Sequence, residues 1–450
     1  MINPKVEFIN HASVLITYGN VGLLSDPWYQ GDAFHKGWNL LHEFDDNEIN
    51  ILLDRTSHIW ISHEHPDHFS ISFFKKFGKK IIDKEIEILF QETKDKRVEG
   101  FLKGNKFKVR ILTKNIWTNI GDDFEVLNFK DGFYDSGLAI NAGNQKFLNL
   151  NDCEVKTNAR CKEVYDLVGT CDVLISQFSY AAWKGGRENL FWRQKAAKEK
   201  LDTLHLQVEY FKPKILIPFA SYIYFSNEQN FYLNDCANSP QDVANYFKDF
   251  EDLNVKVMKP FETIDDFSQQ NYNNEKSIQF WNEAINKSKK INKNNFKTVS
   301  LDDLNESFQH YKERVFSNNS KKIIKLLKTL SPIKVFQPLF IKLEDHQKVV
   351  RFNIFDKSIS VIEEPSHVSM SSESLDFIMK NTFGFDTLTV NGCFEEEQNG
   401  GFSRMTKLLA IENLNNIGIS VNLSLFYRFD IIFLFLGRLF ALDKKINNET

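Results

Sequence analysis

The 450-residue chain is short of cysteine, of long apolar runs and of any large excess of one charge. Its five cysteines, Cys153, Cys161, Cys171, Cys236 and Cys393, are odd in number, and none belongs to a Cys-x-x-Cys pair. That pattern argues against a zinc ribbon or a disulfide framework, so reduced thiols are expected. The formal net charge of −4 is spread without a dominant basic stripe, which argues against nucleic acid as a partner. The first residues, Met-Ile-Asn-Pro-Lys-Val-Glu, lack a charged-then-apolar leader, so a cytoplasmic location is expected. One apolar run, residues 430–442, is interrupted by Arg438 and is too short to span a bilayer. It reads as a buried helix or strand pair, and no transmembrane segment is expected. At this length two or three domains are expected, each with its own core.

What the chain does have is concentrated in residues 57–69, Ser-His-Ile-Trp-Ile-Ser-His-Glu-His-Pro-Asp-His-Phe. Alternation over 58–61 predicts a strand entering a core. It stops at four potential metal ligands within six positions: His63, His65, Asp67 and His68. Pro66 keeps the segment from continuing as a strand, so these side chains can converge rather than alternate between faces. Imidazole with carboxylate suits zinc, iron or manganese. The competing interpretation is a polar turn that happens to be rich in histidine.

The spacing His-x-His-x-Asp-His resembles the signature of the metallo-β-lactamase superfamily. The resemblance implies an α/β fold, an αββα sandwich, here followed by a smaller C-terminal α+β domain. Carried over by position, His63 and His65 hold one metal, and Asp67 and His68 hold a second. Asp26, at the end of the strand expected over 21–25, matches an aspartate that orients the histidine loop, a role with a physical basis in fixing imidazole tautomers. Asp152 matches the carboxylate that bridges the two metals. Asp26, Asp67 and Asp152 are thus the expected catalytic carboxylates. Two departures stand out. Where the superfamily places a third histidine, this chain has none; Asp135 is the best-placed substitute, with Asp131 behind it. Where it often places a last histidine, after the strand expected over 215–217, the chain reads Pro218-Phe219-Ala220-Ser221. The second metal is then expected to rest on Asp67, His68 and Asp152. His205, alone on an expected helix, reads as surface or packing.

Residues 26–42 look similar to the corresponding stretch of the CMP-N-acetylneuraminate hydroxylases, as do residues 177–183 and 218–222. The resemblance covers roughly residues 5–265. It implies hydroxylation of the N-acyl group of a nucleotide-activated sugar such as a CMP-linked sialic acid. Within these motifs Trp28, Trp38 and Trp183 are candidate aromatic walls for a sugar or base, and His42, Gln177 and Ser221 are further candidate substrate contacts. That family joins its metallo-β-lactamase-like domain to a Rieske iron–sulfur domain. No Cys-x-His pair exists in this chain, so no intrinsic iron–sulfur cluster is expected, and electrons must come from a separate reductase or ferredoxin.

The domain reading is residues 1–265 as catalytic domain, 266–335 as helical connector and 336–450 as a small α+β domain of unknown role. Three functions compete. A hydrolase would use two metals to lower the pKa of a shared water and polarise an ester, amide or phosphodiester. A monooxygenase would use His63 and His65 with Asp135 or Asp152, a set that leaves positions open on Fe(II). A scaffold would keep the fold without catalysis. One or two divalent metals are expected, and the missing histidines favour iron over zinc.

Overall fold

The computed structural model describes residues 3–268 and 272–423; the apolar run at 430–442 lies outside the described residues. Among these, two seven-stranded sheets are built from the first part of the chain. The first runs, across the sheet, Glu262–Ile264, Lys5–Asn10, Ser13–Tyr18, Val21–Ser25, His58–Ile61, Glu87–Gln91 and Lys108–Leu112. The second runs Asn254–Val255, Ile215–Phe219, Val173–Gln177, Gln145–Asn151, Asp135–Ala142, Phe124–Asp131 and Trp117–Gly121. Each sheet is antiparallel in one part and parallel in the other.

Side-chain alternation explains why the sheets stack. Val6, Phe8, Val14, Ile16 and Trp60 share one core with Val126, Ile140 and Val173 of the second sheet. Their sequence neighbours Ile9, Leu15, Ile59 and Ile61 point the other way, into a core with the helices Asp46–Asp54, Ile71–Asp83 and Arg97–Gly104. The helices Asn158–Val168 and Leu190–Phe211 cover the outside of the second sheet through Cys161, Val164, Leu204 and Phe211. The result is the αββα sandwich of the metallo-β-lactamase fold. Strands covered on both faces read as nearly continuous apolar runs, as Ile86 to Phe90 does.

The helix that follows the histidine loop starts where its sequence tells it to. Ser70 accepts a hydrogen bond from the Phe73 amide at 3.3 Å, and Phe73, Phe74, Phe77 and Ile81 form the buried face. This helix runs from Ile71 to Asp83. Helix Glu275–Ser288 carries Trp281, which is fully buried in the sandwich core and donates to the Met258 carbonyl at 2.8 Å.

A five-stranded sheet, Ser360–Ile362, Lys348–Phe352, Leu339–Leu343, Val368–Met370 and Glu395–Glu396 in order, anchors the second half of the chain. Helices Leu301–Asn318 and Lys321–Leu330 bury Leu304, Phe308, Tyr311 and Ile324 in the same core as Leu339, Val350 and Met370. Within residues 266–335, Trp281 packs with the sandwich, and the two later helices pack with the C-terminal sheet. Among the described residues no helix is long and apolar enough to cross a membrane.

Phe8 is fully buried and sits against Phe219, Tyr222 and Trp281 with ring centroids 6.2, 4.9 and 6.0 Å away. Phe8→Ala leaves a cavity between the sheets and is expected to cost about 3–5 kcal/mol of stability, read from denaturant unfolding. A loss under ~1 kcal/mol would mean the two sheets do not meet there.

Candidate metal centre

Strand ends from both sheets meet at one edge of the sandwich. Asp26 follows Val21–Ser25, the histidine loop follows His58–Ile61, Asp152 follows Gln145–Asn151, and Asp135 opens the antiparallel strand beside it. The turn between Lys5–Asn10 and Ser13–Tyr18 brings His11 to the same edge. Several of these residues hold backbone conformations that L-residues seldom adopt: φ is +24° at His11, +36° at Asp26, +55° at Asn151 and +48° at Ala220. Such strain persists only where the surroundings impose it, and these four positions lie along this edge.

Asp26 is buried, and its carboxylate is fully engaged. One oxygen accepts from the Ser62 amide at 2.8 Å; the other lies 2.7 Å from the Ser62 hydroxyl, 2.6 Å from the Asn151 amide nitrogen and 3.0 Å from His68 Nδ1. Ser62 Oγ in turn sits 2.9 Å from His63 Nδ1. Both histidines are thereby turned so that Nε2 faces the site. Asp26 thus meets the loop through Ser62 and through His68 Nδ1.

Ligand atoms gather in three overlapping groups: His63, His65 and Asp135; His63, His68 and Asp152; and His11, Asp67 and His68, each with its atoms within 4.8 Å of one another. His63 Nε2 is 2.8 Å from His65 Nδ1 and 3.7 Å from Asp135 Oδ1. Asp152 Oδ2 lies 3.8 Å from His63 Nε2 and 3.6 Å from His68 Nε2, between the two histidines. Asp67 Oδ2 is 3.1 Å from His68 Nε2 and 3.2 Å from His11 Nε2. Among the described residues His11 Nδ1, Asp67 Oδ1 and Asp152 Oδ1 are buried with no hydrogen-bond partner. Orphaned imidazole and carboxylate atoms beside converging histidines fit a site for divalent cations. Asp131 faces elsewhere, accepting from Arg160 Nε at 2.8 Å and from the Glu154 amide at 2.6 Å.

His11 joins Asp67 and His68 in one of these groups, beyond the residues expected for a second metal. Its carbonyl accepts from the Ala220 amide at 2.8 Å, so it stands beside the very segment where a histidine was looked for and not found. A single histidine in a turn 52 positions ahead of the cluster carries no local signal, and alternation gives no hint of its bend.

The candidate substrate contacts lie as follows. Trp28 is buried edge-on to His11, centroids 5.6 Å apart; Trp38 packs on Phe34 and Phe225; Trp183 packs on Trp192, Phe394 and Phe402. His42 rests against Phe44 and Phe280. Ser221 Oγ accepts from the Phe178 and Ser179 amides at 3.3 and 3.0 Å, and Gln177 donates to the Ala220 carbonyl and accepts from Lys200. These residues shape the loops around the centre. His205 packs on Tyr246 and Phe250, away from it. A cavity of about 350 Å³ adjoins the centre instead, lined by Glu64, Phe90, Lys94, Lys130, Phe133 and Tyr134, with residues 416–419 closing one side.

Burial opposes charge throughout the centre, and neighbours decide the outcome. For His65 burial is outweighed by the hydrogen bond and charge of Asp386, and the pKa rises to about 9. His68 is likewise pushed well above the usual imidazole range, by Asp67, Asp152 and Asp26 against burial. Burial and the nearby Asp152 raise Asp135 to about 8. Burial also opposes the charge of Asp67, but His68 and His11 outweigh it and hold the carboxyl well below its ordinary range.

Two outcomes are expected. A raised pKa keeps a proton on the group below that value, and metal must displace it. Divalent metal affinity of the apoprotein should therefore climb from pH 6 towards pH 9, with proton release visible in calorimetric titrations run in buffers of different ionisation enthalpy. A pH-independent affinity would contradict this arrangement. His11→Ala should weaken the second metal equivalent by roughly 10-fold to 100-fold and spare the first, read by equilibrium dialysis. Equal loss of both equivalents would remove His11 from the second subsite.

No family model matches the chain. It is similar to the cytidine monophosphate-N-acetylneuraminic acid hydroxylase of Danio rerio, 28% identical over 256 residues, covering 53% of this chain and 42% of the relative. The chain thus spans less than half the length of that curated relative. Among solved structures, the diiron β-hydroxylase CmlA from Streptomyces venezuelae aligns with a TM-score of 0.43 at 14% identity, covering 59% of this chain and 54% of CmlA. A possible metal-dependent hydrolase from Veillonella parvula aligns with a TM-score of 0.41 at 15% identity, covering 58% of this chain and 99% of the hydrolase. With the αββα sandwich and the histidine loop at its edge, the chain is a metallo-β-lactamase-fold protein similar, over about half its length, to the CMP-N-acetylneuraminic acid hydroxylases.

Proposed function

We propose that this metallo-β-lactamase-fold enzyme hydroxylates the N-acyl group of a nucleotide-activated sugar. It would use O2, one or two divalent metals with iron preferred to zinc, and two electrons from a separate reductase or ferredoxin. The observation that carries the proposal is the 28% identity to a hydroxylase of such a sugar over a segment of 256 residues. The first subsite is consistent with it: His63, His65 and Asp135 are two imidazoles and a carboxylate, a set that leaves positions open on Fe(II) for oxygen and substrate. When bound, iron would supply the activation of O2 that no protein side chain supplies.

The chain's own residues contribute binding and exclusion of water. Lys94 and Lys130 place positive charge along the cavity beside His65, and burial together with Lys114 and Lys94 lowers the Lys130 pKa. Lysines that crowd one another at a rim suit an anionic substrate such as a sugar phosphate or carboxylate. Phe90, Phe133 and Tyr134 supply the apolar wall that an acyl methyl group needs. The cavity is at the small end of ligand sites, about 300–1,000 Å³, and so matches the reacting end of such a substrate better than a whole nucleotide sugar.

One observation favours a hydrolase as the second reading. His11 gives the second subsite another nitrogen, so His11, His68 and Asp67 form the kind of nitrogen and oxygen set that holds zinc tightly.

The test is metal analysis of protein purified without air, paired with oxygen uptake in the presence of reduced ferredoxin and a panel of CMP- and UDP-linked N-acetyl sugars. Bound iron with substrate-dependent oxygen uptake is expected. Two zinc ions per chain, no uptake and cleavage of an ester or phosphodiester would replace the proposal with the hydrolase.

A further inference from the structure

The C-terminal half of the chain reaches into the metal centre at one point. Helix Gly384–Asn391 lies across the edge of the sandwich, and Asp386 in its first turn places Oδ2 3.4 Å from His65 Nε2. The other ring nitrogen of His65, Nδ1, is the one that faces His63 Nε2 at 2.8 Å. His65 is therefore held between two partners on opposite sides of its ring: the first metal subsite on the Nδ1 side, a carboxylate from the other domain on the Nε2 side.

That contact is built rather than incidental. The helix is fastened at its far end, where the Trp183 amide donates to the Thr389 carbonyl at 3.1 Å, Asn391 donates to the Phe34 carbonyl at 3.0 Å, and Asn230 donates to the Asn391 carbonyl at 2.7 Å. Gly37 permits this approach: a Cβ there would lie 2.4 Å from the Asn391 Cβ. Just ahead of the helix, the Arg97 guanidinium stacks on Phe383 at 3.9 Å. On the neighbouring helix His35 stacks on Phe377 with centroids 3.9 Å apart, and Lys36 pairs with Glu373 at 2.7 Å. Asp386 thus stands in a seam where docking is polar and closely packed on both sides of it.

We infer that Asp386 is a positioning residue for the first metal subsite: it accepts the Nε2 proton of His65, fixes the tautomer that presents Nδ1, and so makes the C-terminal domain part of the metal centre. A carboxylate on the far nitrogen of a ligating imidazole orients the ring and raises its basicity. Asp26 does this for His68 from within the sandwich. For His65 the same service comes from a residue more than 300 positions further along the chain. The inference rests on the reading of this site as a metal centre, and it does not depend on whether the reaction is hydroxylation or hydrolysis.

The test uses the full chain, freed of metal and titrated anaerobically with Co(II), followed by its visible absorption. The expected result is that Asp386→Asn weakens one Co(II) site by about 10-fold to 100-fold and shifts its absorption bands, while the other site and the unfolding midpoint of the metal-free protein stay put. Asp386→Glu should recover part of the affinity. Unchanged affinity and spectrum in Asp386→Asn, with the parent protein binding Co(II) normally, would overturn the inference and leave the metal reading intact. Failure of the parent protein to bind Co(II), Zn(II) or Fe(II) would overturn the metal reading itself. If Asp386→Asn does not fold, nitrogen NMR of His65 in the Zn(II)-loaded parent decides: a protonated Nε2 with metal on Nδ1 is expected, and the reverse assignment refutes the role.

Discussion

One buried carboxylate holds the centre together. Asp26 has no route to water, so its charge must be met by fixed donors, and those donors come from three separate parts of the chain. The Ser62 amide and hydroxyl belong to the histidine loop, His68 to the loop's far end, and Asn151 to the second sheet. Satisfying one carboxylate therefore fixes the loop's start, its end and its distance from the opposite sheet. The left-handed backbone at Asp26 and Asn151 is the local strain this convergence requires.

The two halves of the centre are supported differently. The second subsite is enclosed: His11, Asp67 and His68 are all buried, and Trp28 covers His11. The first is more open, with Asp135 and Asp152 about a fifth to a quarter exposed and a cavity beside Tyr134. A closed subsite that orders a cation and an open one that meets substrate make a workable division of labour for oxygenase and hydrolase chemistry alike.

The second half of the chain is more than an appendage. Its core takes in Trp183, a residue of the loop after Val173–Gln177, alongside Phe394 and Leu388. It roofs the edge where the metal ligands gather and closes the side of the cavity formed by residues 416–419. A tryptophan that looked like a sugar platform thus serves as a bolt between the two bodies. Buried aromatic surface with a seam of hydrogen bonds is what keeps two such bodies in register.

Much of this was legible in the linear chain wherever the signal is local. Alternation marked the strand at His58–Ile61. Four ligands within six residues identified the loop itself, because a contiguous motif needs only a strand end and a proline to converge. The partners of that loop were another matter. Asp152 and Asp135 could be placed only through resemblance, and His11 and Asp386 had no signal, since a lone histidine in a turn and an aspartate in a helix's first turn look ordinary in any chain. The burial of Trp28, Trp38 and Trp183 was not legible either, since whether an aromatic lines a cleft or fills a core depends on what packs against it. The chemistry of the centre is thus written in one short segment, while its completion was decided in three dimensions, where stacking two sheets and docking a second domain brought distant residues within a few ångströms of the same two imidazoles.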